Sequence, residues 1–150
     1  MEVFRISREE YSTSLSSSGS ANRWNLKGQN VLYAGATRSL SSLELIVHKG
    51  SVKPALRYKV MVISFADEDQ LTQQVQIKDL PISWRSIAAY ANLQKIGSDW
   101  YTNQASLILK IPSAVIPVEY NYMINTEHPA FLSKIKLVRT EEYFWDSRLL

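Results

Sequence analysis

Short runs of apolar residues recur along this chain, some alternating with polar residues and some apolar throughout, and they predict its strands. Most of the runs end at a glycine, a proline or a polar segment, which is typical of strands in a small sheet. The predicted strands cover residues 3–6, 31–35, 57–65, 75–77, 105–111, 115–122 and 135–138.

Two other segments have apolar residues at three- and four-residue steps, the spacing of an amphipathic helix. In the first segment, Ser39 is the expected N-cap and Gly50 the expected end of the helix. Its expected core face consists of Leu40, Leu43, Ile46 and Val47. The second helix is predicted from Trp84, Ile87, Ala88 and Ala91. Because strands and helices do not alternate regularly, the pattern predicts an α+β domain with small mixed or antiparallel sheets and short helices.

Composition narrows the class of protein. With 150 residues the chain has the length of one domain, so we expect a single domain spanning residues 1–150. A hydrophobic fraction of 45% and a charged fraction of 21% are typical of a soluble protein, and the absence of cysteine suits the cytoplasm. There is no signal segment and no apolar run of about 20 residues, so we expect neither export nor membrane insertion.

Charge and motifs argue against several functions. Seventeen basic and fourteen acidic residues leave a net charge of +3, and the basic residues are scattered, which does not favour nucleic-acid binding. The five glycines form neither a G-x-G-x-x-G motif nor a P-loop, so a Rossmann-type nucleotide site is not expected. His48 and His128 lie far apart without an H-E-x-x-H motif, and we therefore expect no catalytic metal.

Three residues are candidates for chemistry, although each also has an ordinary structural explanation. Arg23 follows the small-residue segment 16–22 and could bind two phosphate oxygens, or it could simply be exposed. Tyr33 lies in a predicted buried strand and could contact a flat ring or a ribose, or it could fill the core. Glu44 lies on the flank of the predicted core face and could reach into a cleft, or it could pair with His48.

Taken in order, several segments resemble the RES domain family, which is named for its arginine, glutamate and serine. The matching segments are the opening strand Val3-Phe4-Arg5-Ile6, the arginine loop Arg23-Trp24-Asn25, the tyrosine strand Val31-Leu32-Tyr33, the glutamate helix with Leu43-Glu44, the serine motif Pro112-Ser113-Ala114-Val115, the asparagine segment with Asn121-Tyr122 and Asn125 through His128-Pro129, and the ending Asp146-Ser147-Arg148-Leu149. No single segment is specific, but their order extends the resemblance over nearly the whole chain.

The resemblance implies a fold related to that of ADP-ribosyltransferases. It also implies a toxin that degrades cellular NAD by cleaving the nicotinamide–ribose bond and is encoded beside an Xre-like helix-turn-helix antitoxin. NAD is then the substrate, and no further cofactor is expected. In this reading Arg23 holds the pyrophosphate and Tyr33 packs on the nicotinamide ribose or ring. Glu44 orients the ribose hydroxyls and stabilises the cation that develops as nicotinamide leaves.

The resemblance also assigns supporting roles and leaves the acceptor open. Trp24 and Asn25 are expected to line the pocket, and Ser113 to hydrogen-bond the nicotinamide end or brace the site. Water, phosphate or a protein side chain as acceptor would correspond to a glycohydrolase, a phosphorylase or an ADP-ribosyltransferase. A domain that has lost catalysis and only binds a partner is the alternative from a different class. No contact with nucleic acid or a membrane is expected, while a homodimer or a larger toxin–antitoxin assembly stays open.

Overall fold

Seven strands and three α-helices, joined by loops and short 3-10 turns, are seen in the computed structural model, which describes residues 1–48 and 52–149. The strands are β1 (Glu2–Arg8), β2 (Val31–Gly35), β3 (Tyr58–Ser64), β4 (Thr72–Gln74), β5 (Ile108–Pro112), β6 (Tyr120–Asn125) and β7 (Lys136–Tyr143). The helices are α1 (Arg38–Val47), α2 (Tyr90–Asn103) and α3 (Phe131–Lys134). The predicted α+β class is therefore confirmed.

The strands form one sheet in the order β4-β5-β6-β2-β1-β3-β7. Neighbouring strands are antiparallel, except that β4 and β5 are parallel. β1 pairs with β3 along its whole length, whereas β1 meets β2 only where Phe4 faces Gly35. The sheet thus consists of two half-sheets, β4-β5-β6-β2 and β1-β3-β7, that are joined at a single residue pair.

Each half-sheet buries apolar side chains against a helix. Leu93 and Trp100 of α2 pack with Leu109 of β5 and Met123 of β6. On the other half-sheet, apolar residues of β1 and β3 pack with Leu45 of α1. Since a fully buried aliphatic side chain contributes about 1.5–3 kcal/mol, these two clusters fix the helices on their half-sheets.

The predicted register of α1 is wrong in two respects. The N-cap is Thr37, whose Oγ1 accepts a hydrogen bond from the backbone N–H of Leu40 at 3.0 Å, and Ser39 lies inside the helix. Of the expected core face, Leu40 is buried, but Leu43 and Val47 are 36% and 54% exposed. The expected end at Gly50 lies outside the described residues.

The inward face of α1 carries polar side chains because the helix lies beside the place where the half-sheets separate. Ser41 is buried, and its Oγ donates to the backbone oxygen of Phe4 at 2.7 Å. Ser41, Glu44 and His48 follow one another at three- and four-residue steps and all face the same opening. Glu44 therefore lies within the inward face of α1 and not on its flank.

The second helix begins later than predicted. Residues 84–89 form turns and a 3-10 segment, Ile87 is 82% exposed, and α2 starts at Tyr90. Its buried residues are Leu93, Gly97 and Trp100. Gly97 allows the helix to touch the backbone of Trp24, because a Cβ atom at Gly97 would lie 1.7 Å from the Trp24 oxygen.

Strand boundaries were predicted with unequal success. The strand expected at 75–77 lies earlier, at β4, and Ile77–Asp79 forms a 3-10 turn. The strand expected at 115–122 is shifted, because residues 113–119 form a loop and β6 starts at Tyr120. The last strand is longer than expected. Across residues 1–48 and 52–149, no helix combines the length and apolar character needed to cross a membrane.

Candidate active site

A cleft of about 640 Å³ opens where β1 and β2 separate. β1 and β2 line it on either side of their single pair, and the inward face of α1 lines a further wall. The serine-rich loop before Arg23, the start of α2 and the loop after β5 complete the cleft. Arg23, Tyr33 and Glu44 all line it, so the structure brings the three residues predicted from the sequence into one place.

Glu44 is held by two hydrogen bonds that reach its carboxylate from the other half-sheet. Ser113 Oγ and Asn121 Nδ2 both donate to Glu44 Oε1, each at 2.6 Å. Glu44 Oε2 has no partner among the described residues. Donors at these distances fix the orientation of a carboxylate, so one oxygen is anchored and the other is left for a ligand.

Ser113 supports Glu44, and its hydroxyl has no hydrogen-bonding capacity left for a ligand. Its side chain is completely buried, and its Oγ accepts hydrogen bonds from the backbone N–H groups of Val115 and Ile116, both at 3.0 Å. The hydroxyl proton is therefore directed to Glu44. Of the two roles expected for Ser113, this geometry favours bracing of the site. Sequence reasoning did not assign a role to Asn121, its fellow donor.

Arg23 lies at a tight turn that is closed by backbone hydrogen bonds between Asn22 and Asn25. Its Nη1 donates to the backbone oxygens of Trp84 at 3.4 Å and Arg85 at 2.9 Å. The guanidinium carbon lies 4.7 Å from the centre of the Tyr90 ring, a cation–π distance. These contacts fix the cation at the cleft wall.

Tyr33 lines the cleft and is anchored by its hydroxyl, which donates to Asn25 Oδ1 at 2.6 Å. Burial raises the pKa of the Tyr33 phenol, so the hydroxyl stays protonated. Asn25 is 1% exposed, and its Nδ2 donates to the backbone oxygens of Ser20 and Leu26. The expectation that Asn25 lines the pocket is therefore wrong, because it lies behind Tyr33. Trp24 reaches the cleft but is only 2% exposed, since it packs in the core.

Comparison with known proteins decides the family. The family model described as RES domain matches residues 2–146. The chain belongs to the RES domain family. A protein named Toxin Res from Yersinia enterocolitica is 32% identical over 127 residues, which cover 85% of this chain and 82% of that protein. A protein named Prs ADP-ribosylating toxin from a Sphingobium species is 31% identical over 129 residues, covering 85% and 80%.

A solved structure has the same fold as this RES domain. The crystal structure of the M. tuberculosis MbcT-MbcA toxin–antitoxin complex contains a chain that matches with a TM-score of 0.74 and 13% sequence identity. The match covers 95% of this chain and 84% of that chain. This likeness shows the fold, while the family match over residues 2–146 confirms the resemblance to the RES family inferred from motif order.

The cleft of this RES domain contains further polar residues that were not predicted as site residues. Arg5, at the centre of β1, donates from Nη1 to the backbone oxygen of Tyr33 at 3.0 Å, across the gap between the half-sheets. Burial lowers the pKa of the Arg5 guanidinium, although arginine remains charged in proteins. Arg85 and His48 also line the cleft. A cation between the apolar neighbours Phe4 and Ile6 was a signal for Arg5, whereas nothing local pointed to Arg85.

The charged residues that line the cleft determine its electrostatic character. Arg5, Arg23 and Arg85 bring three positive charges, and Glu44 brings a negative one. No group of three or more histidine, aspartate or glutamate side chains that could hold a metal occurs in the part of the chain that the structure describes. The arrangement can bind an anion with its arginines and stabilise a developing cation next to Glu44.

Proposed function

We propose that this RES domain is the toxin of a type II toxin–antitoxin pair and cleaves the nicotinamide–ribose bond of NAD. The observation that carries the proposal is the Glu44 carboxylate, anchored at one oxygen and free at the other, in the same cleft as the Arg23 guanidinium. NAD has the matching charges, because its diphosphate is anionic and its nicotinamide ring is cationic. NAD acts as the substrate, and no cofactor is needed.

The reaction breaks the bond between C1 of the ribose and the nicotinamide nitrogen, and the bonding electrons leave with neutral nicotinamide. Positive charge then develops on the ribose, as in glycoside cleavage. Glu44 stabilises that charge and orients the ribose hydroxyls through its free oxygen. Arg23 holds the diphosphate, while the Tyr33 ring packs against the nicotinamide ribose or the ring itself. Such fixed electrostatic groups are commonly worth about 10²- to 10³-fold in rate.

The acceptor of the ribosyl group distinguishes the variants of this reaction. Attack by water makes the domain a glycohydrolase, and attack by phosphate makes it a phosphorylase. ADP-ribosyl transfer to a protein side chain is a second candidate, because the Sphingobium relative is named a Prs ADP-ribosylating toxin. All three acceptors meet the same cation at C1, so Glu44 serves each of them.

An antitoxin partner follows from the toxin role. We propose an Xre-like helix-turn-helix protein that acts in the cytoplasm and covers the cleft. The structural neighbour supports the proposal of an antitoxin partner, since its structure is that of a toxin–antitoxin complex. Coexpression with the neighbouring gene should yield a copurifying complex and relieve growth inhibition. Absence of a complex, together with harmless expression of the RES domain alone, would count against the toxin role.

The decisive experiment follows nicotinamide release from NAD by purified protein, with and without phosphate, and identifies the ribosyl product. Glu44→Gln keeps the size of the side chain and removes its charge, so it should lower the rate by about 10²-fold or more while NAD still binds. Glu10→Gln is the matched control, because Glu10 is an exposed carboxylate outside the cleft, and it should retain full activity. No nicotinamide release by the wild type, or equal rates for wild type and Glu44→Gln, would refute the proposal.

A further inference from the structure

We infer that Arg85 is the second arm of a diphosphate clamp with Arg23, and that this clamp makes the cleft select dinucleotides over mononucleotides. The inference rests on the proposed function, because the diphosphate is that of NAD. It adds to that function a second binding residue, Arg85, and a preference for dinucleotides. Arg85 follows the buried Trp84 in the segment between β4 and α2, and its side chain lines the cleft.

The ion pairs of the chain single out the arginines of the cleft. The sequence contains eight arginines, and all eight lie within residues 1–48 and 52–149. Five of them have a carboxylate within 4.0 Å, namely Arg8, Arg38, Arg57, Arg139 and Arg148. The remaining three, Arg5, Arg23 and Arg85, have none among the described residues, and all three line the cleft. Within residues 1–48 and 52–149, the arginines that have no carboxylate partner therefore all line the cleft.

A hydrogen bond joins Arg23 to the segment that carries Arg85. The backbone oxygen of Arg85 accepts the hydrogen bond from Arg23 Nη1 at 2.9 Å. The Arg85 side chain is itself fixed, since its Nε donates to the backbone oxygen of Ala114 at 2.8 Å. This leaves both terminal nitrogens of Arg85 without an acceptor in the described part of the chain. An oriented guanidinium with free N–H groups is the arrangement that binds phosphate oxygens in pairs.

Arg5 belongs to a different part of the cleft. Its guanidinium bonds to the backbone oxygen of Tyr33 in the gap between the half-sheets, whereas the Arg23 guanidinium bonds to the backbone oxygen of Arg85. A diphosphate offers two anionic groups and can engage both Arg23 and Arg85, whereas a mononucleotide can satisfy only one of the two arginines. The competing explanation is that Arg85 merely ties its own segment to the loop that carries Ser113.

Binding of ADP-ribose and AMP, measured by calorimetry, separates these explanations without any need for catalysis. Arg85→Gln should weaken ADP-ribose binding about ten- to a hundredfold, as expected for the loss of charge-assisted hydrogen bonds, and change AMP binding by less than about threefold. Arg85→Lys keeps the charge without the fork and should fall between the wild type and Arg85→Gln. The matched control Arg148→Gln removes an exposed arginine outside the cleft and should bind both ligands normally.

Equal losses for ADP-ribose and AMP in Arg85→Gln, no loss at all, or no ADP-ribose binding by the wild type would overturn the clamp. A purely structural tie would show as equal losses together with a lower melting temperature in both Arg85 variants. The outcomes also separate the two proposals. If Arg85→Gln selectively loses ADP-ribose binding but the wild type releases no nicotinamide, the clamp is retained and NAD cleavage is rejected. If the wild type releases nicotinamide but Arg85→Gln shows no selective loss, NAD cleavage is retained and the clamp is rejected.

Discussion

Replacing Asn121 by aspartate puts a second carboxyl group where Asn121 Nδ2 now donates to Glu44 Oε1 at 2.6 Å. Two unit charges at that separation repel by ~6 kcal/mol at an effective dielectric constant of 20. Both side chains are half-buried, so solvent screening reduces this to about 3 kcal/mol. At 1.36 kcal/mol per pKa unit, the introduced carboxyl should keep its proton about two units above the ordinary aspartate value, to about pH 6.

The Asn121→Asp variant should therefore be active at low pH and inactive at high pH. Below about pH 6 the introduced group is protonated and can donate to Glu44 as the asparagine does. At pH 7.5 the introduced group is ionised and displaces the Glu44 carboxylate. The value of kcat/KM for nicotinamide release should then fall about ten- to a hundredfold below that of the wild type, which corresponds to the loss of a hydrogen bond to a charged group. Asn121→Ala is the control, because it lacks the donor at every pH and should show no recovery in acid.

Stability gives a second readout that does not depend on the reaction. A carboxyl whose pKa is raised by folding contributes stability below its unfolded pKa, and this contribution disappears as the pH rises through the folded pKa. The free energy of urea unfolding of Asn121→Asp, relative to Asn121→Ala, should thus decrease between about pH 4 and pH 7. Parallel pH profiles for the two variants, in both activity and stability, would refute the assigned contact with Glu44.

Three further predictions concern positions that hold the site. Gly97→Ala should lower the free energy of unfolding by about 1–3 kcal/mol in urea titrations, because the new Cβ meets the Trp24 backbone; an unchanged value would contradict that contact. Tyr33→Phe leaves Asn25 Oδ1 without its donor and should cost about 1–3 kcal/mol at pH 7. That difference should shrink above about pH 10, since folding raises the pKa of the Tyr33 phenol; a constant difference would contradict its burial. Gln104→Gly relieves a left-handed backbone at φ 48° and should raise stability by about 1 kcal/mol in thermal unfolding, whereas a decrease would show that the side chain matters more.

The sequence predicted elements with strong local patterns and failed where burial depends on distant parts of the chain. β2 was predicted with its observed bounds, because five residues of a buried strand suffice to show the pattern. The face of α1 was predicted from its apolar residues, which presumes that the inward side is apolar. Here part of the inward side lines an open cleft with polar and apolar walls, so Ser41 is buried and Glu44 lines the cleft, while Leu43 is 36% exposed.

The same reason explains which site residues were missed. Asn121 and Glu44 are 77 residues apart, and Arg85 contacts Ala114 across 29 residues. Neither contact leaves a periodic or local pattern in the sequence. Motif order pointed to Arg23, Tyr33, Glu44 and Ser113, because a family likeness carries information about long-range neighbours that spacing alone lacks. It also included the segment Asn121-Tyr122, but assigned no role to Asn121. The resemblance also implied that Asn25 lines the pocket, but its amide group is hydrogen-bonded to backbone oxygens and to the Tyr33 hydroxyl.

Because Phe4 and Gly35 are the single residue pair between β1 and β2, the cleft lies in a gap between two half-sheets that are otherwise well paired. Side-chain contacts connect the half-sheets across this gap in place of a continuous backbone ladder, among them Arg5 donating to Tyr33 and Asn121 donating to Glu44 of α1. The place where the sheet has the fewest backbone pairs thus coincides with the cleft in which we propose that NAD binds. Under the proposed function, NAD bound in the cleft would contact both half-sheets, so its binding should oppose their separation and raise the stability of the fold.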